Sequence, residues 1–345
     1  MAILLAVLLS LSVAHSTLAD DSAASLGVGG IHLEKNSRIS MVKESLNVGI
    51  DRVTVEYEFL NNTSQDINTK VAFPIPEYRC DEPIDGCPEN AFHDLQVWAD
   101  GKAVAYSADL KAILKDRDYS AELQRLGIDP DAFGHFDSDA LAQGFTNGGD
   151  HSDFAKLSAE DRAKLVRLGL ADDDMSPLWS LRKLFYWEQT FPAKTTVHIR
   201  HQYKPWAGWT DVDYRTMSAL AKSPQATQGG QAWGYLPEIA DACFDRPLQA
   251  KLRSDVRNAS VVFTWVDFIL KTANNWKTPL ANFELVVEKP KPADSRSVWY
   301  VSFCWDGRVE RLDPDHFRVR AKNFVPERDL HVGFFEVRSD APASR

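Results

Sequence analysis

Apolar and polar residues alternate along much of this chain with a period of two. Between residues 47 and 60, Val48 and Ile50 and then Val53, Val55, Tyr57 and Phe59 fall on every second position. Successive side chains of a strand point to opposite faces, so this pattern predicts a strand with one buried face. Asn61-Asn62-Thr63 supplies the turn that follows, and residues 67–74 the next strand. Residues 95–106 read as a hairpin around Asp100-Gly101, a favoured two-residue turn.

The period changes after residue 106. Residues 107–182 are rich in Ala, Leu, Asp, Lys and Arg. Ser158-Ala-Glu-Asp is a capping box ahead of a helical run that ends at Gly169. Ser120-Ala-Glu-Leu-Gln-Arg-Leu-Gly127 echoes it. The segment predicts a helical insertion with a flexible centre near residues 144–149. Asp172-Asp173-Asp174 lacks the spaced ligands and glycine of a calcium loop and reads as a solvated turn.

Alternation returns at Phe185. It recurs at Phe283, Leu285 and Val287; at Trp299, Val301, Phe303 and Trp305; at Phe317 and Val319; and at Leu330, Val332 and Phe334. Asp306-Gly307 marks a further turn. The expected fold is mainly β, an antiparallel sandwich-like body with an inserted α-helical segment, α+β overall. Its expected divisions are 20–106 (N-terminal β region), 107–182 (helical insertion) and 183–345 (C-terminal β region completing the body).

The densest stretch runs from Phe185 to Tyr203, with Pro192-Ala193-Lys194 between two alternating runs. Read as a hairpin with Phe191 opposite Val197, it sets Trp187 against His201 and Phe185 against Tyr203. Glu188 and Arg200 then pair on the other face, as do Thr190 and His198. A slip by two residues sets Phe185 against His201 instead. In either register Glu188 and His201 point to opposite faces, so they do not converge as an acid and base. Trp187, His201 and Tyr203 can form a ligand site, or the histidine can be a buried structural residue. Trp206, Trp209, Trp233 and Tyr235 lie in glycine-rich, irregular sequence. They can stack on a ligand or close over the core.

Composition narrows the classes. The chain has 345 residues and a net charge of −10. Nothing resembles the basic footprint of a nucleic-acid binder, and an anionic membrane surface would repel it. Residues 2–14 are an apolar run too short to span a bilayer of about 30 Å. Thr17-Leu18-Ala19 follows, small at its first and third positions, then Asp20-Asp21. This is read as a signal peptide, residues 1–19, cleaved after Ala19, although no Lys or Arg precedes the apolar run. An uncleaved anchor is the alternative. The mature protein is expected in the periplasm or secreted, with no stable membrane insertion.

Four cysteines accord with an oxidising compartment. Cys80 and Cys87 bracket a turn-rich loop that can close locally, which leaves Cys243 and Cys304 to staple distant segments; four cysteines allow three pairings. The thiols show no C-x₂-C spacing, so no metal site is expected. No phosphate loop, G-x-S-x-G or H-E-x-x-H occurs, so no cofactor and no catalytic residue is assigned. The functional expectation is an exported, non-enzymatic β-sandwich module for an unknown envelope ligand or protein. An envelope hydrolase of glycan or ester bonds, with His201 as base, and a structural scaffold are the alternatives.

Three groups of segments resemble the family of exported bacterial proteins known as domain of unknown function 4424. Asp21-Ser-Ala-Ala-Ser-Leu-Gly-Val-Gly-Gly-Ile31 and Val71-Ala-Phe-Pro-Ile-Pro76 carry the first. Phe185-Tyr-Trp-Glu-Gln-Thr-Phe-Pro-Ala193 and His201-Gln-Tyr-Lys-Pro205 carry the second. Leu270-Lys-Thr-Ala-Asn-Asn-Trp276, Val301-Ser-Phe-Cys304 and Pro326-Glu-Arg-Asp-Leu-His331 carry the third. The chain departs from the family's pattern at Asn275-Trp-Lys-Thr-Pro279 and in the extra Cys80/Cys87 pair. The resemblance brings no assigned activity, so no site residue is carried over. Residues 73–76 also resemble a strand pattern of vault/inter-α-trypsin sandwich domains, at the level of fold only.

Overall fold

The computed structural model describes residues 21–27, 30–78, 92, 94–130, 157–173, 177–213, 215, 239, 241–243 and 245–339. Residues 1–19, Cys80, Cys87, residues 144–149, Asp174, Trp233 and Tyr235 lie outside them. The protein is mainly β, with antiparallel and mixed sheets and, among the described residues, no closed barrel.

The N-terminal region starts with β1 (Ser22–Gly27), β2 (Gly30–Glu34), β3 (Ile39–Val48), β4 (Val53–Asn61) and β5 (Ile67–Pro74). Then come β6 (Gln96–Ala99), β7 (Lys102–Ala103), β8 (Ser107–Leu114) and β9 (Arg117–Asp118). Helices α1 (Ser120–Arg125) and α2 (Ala159–Leu168) precede β10 (Ser180–Phe191), β11 (Thr196–Tyr203) and β12 (Ala207–Asp211). Helix α3 (Arg246–Asp255), β13 (Ala259–Phe268), a 3₁₀ turn (Lys271–Asn275) and β14 (Leu280–Glu288) follow. Last are β15 (Ser297–Phe303), β16 (Glu310–Arg311), β17 (His316–Phe324) and β18 (Leu330–Ser339).

These strands form three sheets, ordered β2-β1-β5-β10-β8-β9, β16-β17-β14-β3-β4-β11-β6-β7 and β12-β13-β18-β15. The eight-stranded sheet packs against the other two across one core, in which Phe59, Phe73, Trp187, Phe268 and Phe283 are buried. A second core lies on the far face of the four-stranded sheet. There Leu252 of α3 meets Phe263, Trp265 and Phe335. Gly333 makes that contact possible: a Cβ there would lie 2.6 Å from the Phe263 ring and 2.8 Å from the Cβ of Ala242.

Local signals are realised where expected. Asp100 and Gly101 have φ of 47° and 76°, joining β6 to β7 through two left-handed residues. The Ser158 side chain caps α2 by accepting from the Asp161 N–H, and Gly169 ends it at φ 70°. Residues 107–182 are helical in part only, because Ser107–Leu114 forms β8 against β10.

The hairpin expected over Phe185–Tyr203 is not formed. β10 belongs to the six-stranded sheet and β11 to the eight-stranded one, so Pro192–Thr195 crosses between layers. Glu188 pairs with Lys70, not Arg200. Arg200 lies opposite Glu56, and His198 opposite Glu58. Both runs alternate whether they pair in one sheet or face each other across two, and the period alone does not distinguish these. β4 and β5 cross in the same way. Buried Asn61 ties the two crossings together: its amide donates to the carbonyls of Gln65 and Phe191, both at 2.8 Å. Its side-chain oxygen accepts from the Thr63 N–H and hydroxyl. The expected antiparallel, sandwich-like body is present, with one parallel pairing among the described strands, β14 beside β3. That pairing joins distant chain segments, which no local signal encodes.

Candidate functional site

Trp187 and His201 do meet, although from opposite sheets. Their ring centroids are 5.3 Å apart and edge-on. Phe73 at 4.6 Å and Tyr57 at 5.6 Å complete the enclosure, and His201 is 0% exposed. Neither imidazole nitrogen, nor the Trp187 indole N–H, has a hydrogen-bond partner among the described residues. The Asp21 carboxylate approaches the His201 Nε2 to 3.6 Å, beyond a normal hydrogen bond.

Asp21 is itself fully buried at the start of β1. The Trp276 indole donates to its carbonyl, and the Asn275 amide donates to the Ser22 hydroxyl. Two effects oppose each other at His201. A nearby carboxylate favours the imidazolium, while loss of water favours the neutral ring. With full enclosure and no hydrogen bond joining the pair, burial dominates and pushes the histidine down to about 3. The ring is neutral at physiological pH. The ring has no contact with solvent in this structure.

Tyr203 is buried against Phe73 and Phe92. Trp206 is half-buried between Tyr78 and Trp265. Trp209 stands exposed on β12, at the margin of the four-stranded sheet. The described aromatics of the predicted set, Trp187, Tyr203, Trp206 and Trp209, therefore do not gather around one opening. Among the described residues no three His, Cys, Asp or Glu side chains gather as a metal site. No described helix is long and apolar enough to cross a membrane.

One opening among the described residues was not signalled by the sequence. A trough of ≈ 710 Å³ runs along β15, between α3 and the β16–β17 turn. Trp299, Val301 and Phe303 pack toward the main core, and Tyr300 toward α3. Pro247 and Leu248 line one wall, and Val309 and Phe317 the other. Lys251, Lys289 and Arg311 also border the trough, against Asp245 alone among acidic side chains. Lys251 and Lys289 are ion-paired with Asp255 and Asp315, so the charge beside the trough is close to balanced. Asp245 is occupied as the α3 cap, accepting from the Leu248 N–H at 2.8 Å.

The Cys243–Cys304 disulfide holds the approach to α3 beside the end of β15, with Cα atoms 5.0 Å apart. In sequence, Trp299-Val301-Phe303 signals only a strand with a core face. Nothing local shows that this strand ends its sheet.

The fold and trough together define a layered β-sandwich protein with a recessed, cation-bordered sheet margin. The chain belongs to the family described as domain of unknown function DUF4424, whose profile matches residues 19–332. No match was found among curated proteins. Among solved structures, one similar chain is a candidate nutrient binding protein from Legionella pneumophila. It is 13% identical, with a TM-score of 0.37, over 91% of this chain and 72% of that one. A likeness of that size carries no argument about this chain.

Proposed function

We propose that this chain is an exported, non-enzymatic binding module of the cell envelope, and that it holds its ligand or partner in the trough along β15. The observation that carries the reading is the trough's build. An aromatic and aliphatic floor suits recognition of an apolar or amphipathic group. Its volume, ≈ 710 Å³, lies within the range of ligand sites. Export is supported by the apolar run of residues 2–14 with its small-residue site, and by the Cys243–Cys304 bridge, which requires oxidising surroundings.

A photoreactive amino acid at Val298, which is 47% exposed at the trough, tests the binding role in cells. A defined adduct is expected there and not from the same group at Glu188, on the six-stranded sheet. Equal labelling at both positions, or none at Val298, overturns the reading. Mass spectrometry of the mature protein should find Asp20 first, and retention of Met1 would defeat the export proposal.

A further inference from the structure

A disulfide resists exchange when its sulfurs are shielded and its backbone is relaxed, whereas strained or exposed bridges are the labile ones. Two observations place the Cys243–Cys304 bridge with the labile kind. Cys243 is exposed and lines the trough, while Cys304 is half-buried and does not line it. The Cys243 backbone also has φ of 52°, in the left-handed region that a residue with a Cβ seldom adopts. Opening the bridge lets that backbone relax, which works against the loop-closure entropy that keeps the bridge shut.

We propose that this bridge is a thiol–disulfide exchange site, with Cys243 as the sulfur attacked and thiols carrying an apolar group as its substrates. An incoming thiolate forms a bond to Cys243 Sγ. The bond to Cys304 breaks, and its electron pair leaves on Cys304 Sγ. The products are a mixed disulfide at Cys243 and a Cys304 thiolate, which takes a proton from water. One disulfide is consumed and one is formed, so no separate oxidant or reductant enters the step.

The surroundings of the two sulfurs give the step its direction. The trough opens onto Cys243, so attack comes from that side. The Asp241 carbonyl lies 3.1 Å from Cys304 Sγ. Once the bridge opens, that carbonyl can accept the new S–H. The thiolate, not the thiol, is the nucleophile, so a Cys304 held as a thiol returns slowly to the mixed disulfide. Cys243 then keeps the incoming group in the trough.

The trough selects which thiol arrives. Pro247 and Leu248 of α3 line it together with Tyr300 and Phe303 of β15. A thiol with an aromatic or aliphatic body buries surface there that a small polar thiol lacks. This preference rests on the trough being a binding site; exchange at Cys243 does not.

The test uses the oxidised mature protein without denaturant and two alkyl thiols, phenethyl mercaptan and mercaptoethanol. Free thiols are alkylated in the quench, and mass spectrometry of peptides locates the adduct. Mixed disulfide is expected on Cys243, with Cys304 alkylated. Per thiolate, phenethyl mercaptan should react about tenfold faster than mercaptoethanol, after division by the same ratio on oxidised glutathione. Leu248→Ser should lower that ratio and leave the mercaptoethanol rate in place.

Three outcomes overturn the proposal. One is a bridge that reacts only after urea unfolds the protein. Another is adduct on Cys304 in place of Cys243. A third is a corrected rate ratio near one. A Val298 adduct in cells together with any of these keeps the trough as the binding site and removes only the thiol chemistry.

Discussion

His201→Phe isolates the titration of a buried histidine from the packing it supplies. Phenylalanine retains a ring against Phe73, Tyr57 and Trp187, so the apolar enclosure survives with modest overpacking. It removes the ionisable nitrogens. In the unfolded chain this histidine takes a proton near its ordinary value of about 6.5. In the folded protein burial holds it down to about 3. As pH falls below about 6.5, the unfolded state binds the proton first and is favoured. The stabilisation is therefore complete above the unfolded value and is lost progressively as pH falls toward about 3. Each pH unit in that window is worth about 1.4 kcal/mol. From pH 8 to 4.5, wild type should lose about 2.7 kcal/mol more than His201→Phe.

Urea unfolding of both proteins across that range measures the difference directly, and losses common to all surface carboxylates cancel. The imidazole resonance of His201 in the native protein should stay that of a neutral ring down to about pH 4. Parallel stability profiles would refute the reasoning. So would a wild type that gains on the variant as pH falls. That sign would mean the Asp21 carboxylate, 3.6 Å away, holds the imidazolium against the cost of burial.

Other expected outcomes are simpler. Replacing Cys243 and Cys304 together by Ser should cost about 4 kcal/mol, from the entropy of a loop spanning 61 residues, read as a lower urea midpoint. Asn61→Ala strands the buried Phe191 carbonyl and should cost roughly 1–3 kcal/mol, read as a lower thermal midpoint. Gly333→Ala forces Phe263 or Ala242 to move and should cost about 1–3 kcal/mol, with near-ultraviolet circular dichroism altered. Glu188→Gln should change stability by about 1 kcal/mol or less, because its partner Lys70 meets it on an exposed face.

Strand positions were legible wherever one face is buried. The alternation through Val53–Phe59 marks β4, and Leu285–Val287 lies within β14. Turn chemistry was equally legible at Asp100-Gly101 and at the caps of α2. Pairing was not. The run from Phe185 to Tyr203 has the same pattern as a hairpin or as a crossing between layers. The decision lies with Ile67–Pro74 and Val53–Asn61, which supply the actual neighbours. Phase can fail as well. A register shift between Met41 and Lys43 turns Glu44 into the core, which strict alternation from Ile39 would not predict.

The candidate site illustrates the same limit in a functional setting. Sequence reading sought function in aromatic density and picked Trp187, His201 and Tyr203, which the fold spends on joining its layers. β15 looks ordinary by comparison, an alternating strand like several others. Its distinction is positional: it ends a sheet, and its two recessing walls come from residues 247–251 and 309–317. Charge exclusion along an edge is visible in sequence only once the edge is known. Comparing all six edges supplies the contrast, because the other five are short or charged while β15 is neither. An apolar edge left open invites unwanted pairing, and recession between α3 and the β16–β17 turn answers that hazard by narrowing access to it. A wall that merely covered the edge would fill the space against it. Among the described residues the space beside β15 remains open, which is what a place for a ligand or partner requires.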